Sequence, residues 1–415
     1  MNVSKKTETF LESVYGSIQL STPPASEIGK DYIEIVKQLI NDMTNSDKYA
    51  SEIMKKQKLK IDITKIQTVQ QIPKPYGFNS HYFPKYIKEM VEQSASYHIK
   101  YAFKINARNI VVNFITLDED TSVKMLKYDG YIKMIIMWLY IAGLYATNEC
   151  GRTLHIYLYM TDFEKRMPTN SHTEIGVSNI NSGLSDVCRK SGEIVIYRKE
   201  EWFKVLIHET FHNYGLDFAE MNIDHLKKKL HGLFPINSKM LAYECYTELW
   251  AEIINCLFCG YVLSDDNKDS DKILLYFNFV IEYERIFSLF QMVKMLNFMG
   301  LSYNDLYESN VKSVEKRKHL YKEKTNVFPY FILKSILMNN FKMFMHWCKE
   351  TNIGLLNFTL NEKTLDSFFE LIKYNHKSKN LLNNIKIIEG YIKTLKHNKD
   401  NDLITTARMS ICELV

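Results

Sequence analysis

The stretch Trp202-Phe-Lys-Val-Leu-Ile-His208-Glu209-Thr210-Phe211-His212-Asn-Tyr214 decides how this chain folds. Read as a helix, it sets residues four apart about 40° from one another around the axis, so His208 and His212 present two imidazoles to one point. Glu209 follows the first of them and can lean over the same point to accept a proton. Two imidazoles and a neighbouring carboxylate suit a zinc ion that keeps one coordination position open for water. Val205, Leu206, Ile207 and Phe211 give the helix an apolar face, and Gly215 supplies a stop. Upstream, Glu193-Ile-Val-Ile-Tyr-Arg198 reads as a short strand, expected at a sheet edge, that leads into the helix. Glu200 and Glu201 suit the positive end of the helix dipole.

A zinc site of this kind needs a third protein ligand. The segment Tyr243-Glu244-Cys245-Tyr246-Thr247-Glu248-Leu-Trp-Ala-Glu252 spaces Glu244, Glu248 and Glu252 four apart. They form one acidic stripe on a helix, beside an apolar stripe of Leu241, Cys245, Leu249, Ile253 and Leu257. The segment resembles the second zinc-binding motif of the thermolysin-like gluzincins, Asn-Glu-x-x-Ser-Asp. The resemblance puts Tyr243 at the Asn position, makes Glu244 the metal ligand and matches Thr247 to the Ser. Glu248 then takes the place of the Asp that orients a ligating histidine from behind. Tyr for Asn and Glu for Asp are departures, and 31 residues separate His212 from Glu244, more than in thermolysin. A frame one turn later, with Glu248 as ligand and Glu252 behind it, stays open. A local alternative is also present. His212-Asn-Tyr-Gly215 resembles the start of the metzincin pattern H-E-x-x-H-x-x-G-x-x-H, but the last position is Phe218, which cannot bind metal, and Asp217 stands one residue early.

The gluzincin resemblance implies a zinc metallopeptidase with one Zn²⁺ per chain. Glu209 would be the general base for a metal-activated water that hydrolyses a peptide or protein substrate. The G-x-M-E-N anchor of the aminopeptidases in that group is not found, which leans the expectation toward an endopeptidase. A donor for the developing oxyanion is sought among His225, His231, Tyr243 and Tyr246, with His231 expected in a loop between the two motifs. A reading from another class is a non-catalytic zinc-binding structural or interaction protein on a peptidase-like fold. Glu209 argues against it, because a purely structural site has no use for a carboxylate over the open position.

The expected fold class is α+β, mostly α: a small mixed sheet and the H-E-x-x-H helix form a zincin-like lobe, followed by a helical lobe. Residues 1–95 read as a helical N-terminal region, with helices over Glu27–Met43 and Tyr49–Lys60. Residues 96–235 read as the α/β subdomain: a hairpin of Tyr97–Ile105 and Asn109–Leu117, a buried helix Lys124–Ala146, a strand Thr153–Met160 and a polar exposed loop over Asp162–Gly192. Within that loop, Asn179–Gly183 is a candidate for backbone contact with substrate. Residues 236–415 read as helical, including one helix over 326–350, and carry the third ligand, with the active-site cleft expected between the lobes.

Composition bounds the rest. At 46% hydrophobic and 24% charged the chain is globular, and a net charge of +5 with scattered lysines does not point to nucleic acid. The most apolar run, Ile132–Ala146, is short for a membrane span and carries Lys133. Met1-Asn-Val-Ser-Lys-Lys does not read as a signal peptide. Seven cysteines without framework spacing point to a reducing, cytoplasmic environment, or to a virion or host cytoplasm for a viral protein. Cys256-Leu-Phe-Cys259 reads as helix packing. Abundant Lys, Asn, Ile and Tyr match an AT-rich coding genome, as in large DNA viruses and some protists.

Overall fold

The computed structural model describes residues 3–21, 28–55, 59–117, 125–264, 269–395 and 402–414. Met1, Asn2, Glu27 and Lys124 lie outside the described residues. The protein is α+β and mostly helical, built on one mixed sheet. Six strands, β1 (Lys60–Lys65), β2 (Tyr97–Ile105), β3 (Arg108–Thr116), β4 (Thr153–Thr161), β5 (Gly183–Ser185) and β6 (Ser191–Arg198), lie in the order β1-β2-β3-β4-β6-β5. β3, β4 and β6 run parallel, while β1, β2 and β5 are antiparallel to their neighbours. The helix Met125–Tyr145 makes the crossover from β3 to β4 that a parallel pair requires.

The period-2 pattern of the strands sorts the core into two layers. Ile110, Val112, Phe114, Leu154, Ile156, Leu158, Ile194 and Ile196 face the crossover helix and the H-E-x-x-H helix, Trp202–Asn213. Ile115, Tyr159, Val195 and Tyr197 face the opposite side and pack on Phe78, Phe83, Ile87 and Val91. The larger layer is one continuous core that runs from Phe10 to Leu414 and takes in the helical part of the chain.

Several expectations change. Residues 1–95 are not wholly helical. Lys60, expected at a helix end, opens the exposed edge strand β1, and a single helix Ile28–Lys55 replaces the expected pair. Glu193–Arg198 is not an edge strand: β6 lies between β4 and β5, and the short β5 forms the edge. β5 falls inside the stretch read as an exposed loop, because three residues give too little alternation to be seen. Asn339 and Asn340 interrupt the expected helix over 326–350, which becomes Phe328–Leu333, Lys334–Met338 and Phe341–Thr351. The cysteines are not all free: Cys150 and Cys188 are joined, and Cys245, Cys256, Cys259, Cys348 and Cys412 are buried thiols. No helix among the described residues is long and apolar enough to cross a membrane.

Candidate metal centre

Every residue of the helix Trp202–Asn213 is buried, including its polar ones. Two features fix its ends. Gly215 adopts a positive φ of 62° and closes the C-terminus, with Leu216 N donating to Phe211 O at 2.9 Å. At the N-terminus Glu201 adopts a left-handed φ of 57°, a conformation that costs a non-glycine residue. Its carboxylate offsets that cost by accepting from Ser410 N at 2.6 Å and Lys165 Nζ at 2.7 Å. The helix-dipole reading of Glu201 therefore misses most of its role: it ties the helix start to the C-terminal segment.

The second buried helix, Ala242–Leu263, lays its acidic stripe across the first. Lys204, His208 and His212 form a matching stripe at four-residue spacing. Lys204 Nζ donates to Glu248 Oε1 at 2.6 Å, and His208 Nδ1 is 2.8 Å from Glu248 Oε2. His208 Nε2 and His212 Nε2 lie 3.3 and 3.5 Å from Glu244 Oε2. Behind His212, the Nδ1 atom meets Asp217 Oδ2, which also accepts from Thr247 Oγ1 at 3.1 Å. A carboxylate only accepts, so each Nδ1 carries the proton. That turns both Nε2 atoms toward each other, 3.2 Å apart, with a carboxylate oxygen beside them, and in the neutral rings an ion would meet two Nε2 lone pairs.

This spacing suits a metal ion. A tetrahedral zinc bound at roughly 2.0–2.1 Å separates its ligand atoms by about 3.3 Å. The three observed separations, 3.2, 3.3 and 3.5 Å, bracket that edge. The pocket also draws positive charge. Burial works to lower the pKa of both histidines, yet Glu244 and Glu248 raise that of His208, and Asp217 with Glu244 raises that of His212 well above its usual range. The Glu244 carboxyl is held far below its ordinary value despite burial, by His208 and His212.

Glu209, next to His208 in the helix, is held from the sheet. Ser185 Oγ in β5 donates to Glu209 Oε2 at 2.7 Å. β5 lies so close that a Cβ on Gly183 would come within 2.8 Å of Val205 Cγ1 and 3.1 Å of Glu209 Oε1. His208, Glu209, His212 and Glu244 keep only 6–9% of their surface exposed.

The sequence-derived residues fall into three groups. His208, Glu209, His212 and Glu244 come together, with Glu248 in the outer position that the resemblance gave it. The later frame does not form: Glu248 meets the far side of the His208 ring, and Glu252 Oε1 accepts from Lys334 at 2.7 Å. The local alternative fails too, with Phe218 in the core and Asp217 behind His212. Of the donors considered, His231 is on the helix Asp224–Leu233, not in a loop, and is exposed. His225 is exposed and near Asp366, and the Tyr246 hydroxyl donates to Leu356 O at 3.0 Å. Tyr243 stays close, its ring 6.1 Å from that of His212.

The residue missed by the sequence is Tyr330. Its hydroxyl donates to Glu244 Oε2 at 2.9 Å, while Asn326 Nδ2 donates to Oε1 at 3.0 Å. Nothing local marks Tyr330; it is 86 residues from its partner. Asp217 and Lys204 carried a faint signal, one just after the motif and the other a helical turn before His208.

No protein-family profile and no solved structure matches the chain. It is similar to a protein of Acanthamoeba polyphaga mimivirus described as uncharacterized, at 23% identity over 318 residues, covering 72% of this chain and 73% of the relative.

Proposed function

We propose that the protein is a zinc-dependent metallopeptidase with Glu209 as general base. The observation that carries the reading is the convergence of His208 Nε2, His212 Nε2 and Glu244 Oε2 at the edge lengths of a tetrahedral ion, on the helix that also carries Glu209. When bound there, zinc lowers the pKa of a coordinated water and polarises the substrate carbonyl.

The chain's own groups supply the rest. Ser185 occupies Glu209 Oε2 and so aims the carboxylate, leaving Oε1 to take the proton of the attacking water. Glu209 then hands that proton to the leaving amine nitrogen. Burial raises the pKa of Tyr330 well above its usual range, so its hydroxyl stays protonated; by turning its single proton from Glu244 Oε2 it can donate to an oxyanion formed alongside. Lys204, Glu248 and Asp217 keep both imidazoles in place and in the required tautomer.

The test pairs zinc analysis with peptide cleavage by wild type and Glu209→Gln. The reading expects wild type to cleave, and the variant to keep its zinc while losing about 10²–10⁴-fold in rate. A zinc-loaded wild type that cleaves nothing in a diverse peptide library would favour the structural, non-catalytic reading instead.

A further inference from the structure

The acidic helix carries a second constellation about three turns past Glu244, and it uses Cys256 of the Cys256-Leu-Phe-Cys259 pair that sequence reading assigned to packing. Cys412, in the C-terminal segment, brings its sulfur to 3.9 Å from Cys256 Sγ. Glu284, on the helix Ser270–Phe298, brings a carboxylate oxygen to the same spot; ligand atoms of Cys256, Glu284 and Cys412 all lie within 4.8 Å of one another. Cys259 lies three residues on from Cys256 in the same helix. All four side chains are buried. Two thiolates on one tetrahedral zinc, bound at roughly 2.3 Å each, stand about 3.8 Å apart, close to the observed separation.

An independent observation comes from Glu284. Its Oε2 accepts from Ser410 Oγ at 2.9 Å and from the amides of Ile411 and Cys412 at 3.2 and 3.3 Å. Its Oε1 is fully buried and has no hydrogen-bond partner among the described residues. An unmatched buried carboxylate oxygen is costly unless a cation meets it.

We propose that Cys256, Cys412 and Glu284 bind a second, structural zinc ion. The site closes on three separate parts of the chain and so fastens the C-terminal segment to both long helices. That segment supplies the amides that hold Glu201, and through it the start of the H-E-x-x-H helix. The inference does not depend on the peptidase reading.

The test is zinc content of the full chain, produced with zinc under reducing conditions. Two zinc ions per chain are expected for wild type, one for the His208→Ala/His212→Ala variant and one for Cys256→Ala/Cys412→Ala. The histidine variant reloaded with cobalt should show intense thiolate-to-cobalt absorption, so the proposal is decided even if the cysteine variant does not fold. A folded histidine variant with neither zinc nor that absorption would overturn it. So would a Cys256–Cys412 disulfide in place of the metal, found by mass spectrometry. Failure of the first site alone would read differently: wild type would then carry one zinc, lost with the cysteines and kept without the histidines.

Discussion

Glu244 and Glu252 sit two turns apart on one helix, in the same stripe, yet their surroundings differ. Both Glu244 oxygens are engaged, by Asn326 on one side and by Tyr330 and two imidazoles on the other. Glu252 has one oxygen on Lys334 and the other buried without a partner among the described residues. Burial accordingly pushes the Glu252 carboxyl well above its usual range, while Glu244 is held far below it. Equal spacing along a helix therefore says nothing about ionisation. What the facing elements offer decides it: imidazoles at one end, a single lysine and the Glu284 carboxylate at the other.

The comparison can be broken by substitution, starting with the largest effect. After the loss expected for Glu209→Gln, Tyr330→Phe should cost about 10²–10³-fold in kcat, as removal of an oxyanion donor does, with zinc content unchanged. Steady-state kinetics against a cleaved peptide checks this; an unaltered kcat would return the donor role to Tyr243. Glu248→Ala and Asp217→Asn should each weaken zinc affinity by about 10–100-fold, whereas Glu244→Ala should strip the metal, all measured by competition with a chelator. Reversed results for Glu244 and Glu248 would restore the later frame. Glu252→Gln should leave that affinity as it is.

A pH effect follows from Glu201. Burial alone would raise its pKa, but Lys165, Lys204 and Arg408 outweigh it and hold the carboxyl down at about 2, against an ordinary 4.5. Its partner Lys165 is depressed by burial, which works against the pair. The carboxylate prevails in this balance because Lys204 and Arg408 add to Lys165, and it also accepts from the amides of Met409 and Ser410. A depressed carboxyl pKa contributes stability that is complete above the unfolded value and lost as pH falls through the folded one. Roughly 3 kcal/mol should therefore disappear between about pH 5 and pH 2. Denaturant midpoints across that window should fall less steeply in Glu201→Gln. The smallest effect is expected of Ser185→Ala, which frees Glu209 to rotate and should lower kcat by about 1 kcal/mol of barrier, the worth of one hydrogen bond.

Much of this was legible beforehand. The hairpin of β2 and β3, the strand β4 and the helix Trp202–Asn213 follow from periodicity, and the Glu244 frame from the motif it resembles. The rest depended on distance along the chain or on brevity. Tyr330 and Cys412 reach their partners only after the helices pack, and neither lies in a local pattern. β5 is too short to alternate. Asp217 was set aside because it stands one residue early for the metzincin position, and sequence does not show that its carboxylate faces His212 Nδ1.

The account stands most directly on a crystal structure with anomalous data at the zinc edge. It predicts a peak about 2.0–2.1 Å from His208 Nε2, His212 Nε2 and a Glu244 oxygen. A peak bound instead by Glu248, or none near the two imidazoles in a protein grown with zinc, would contradict it.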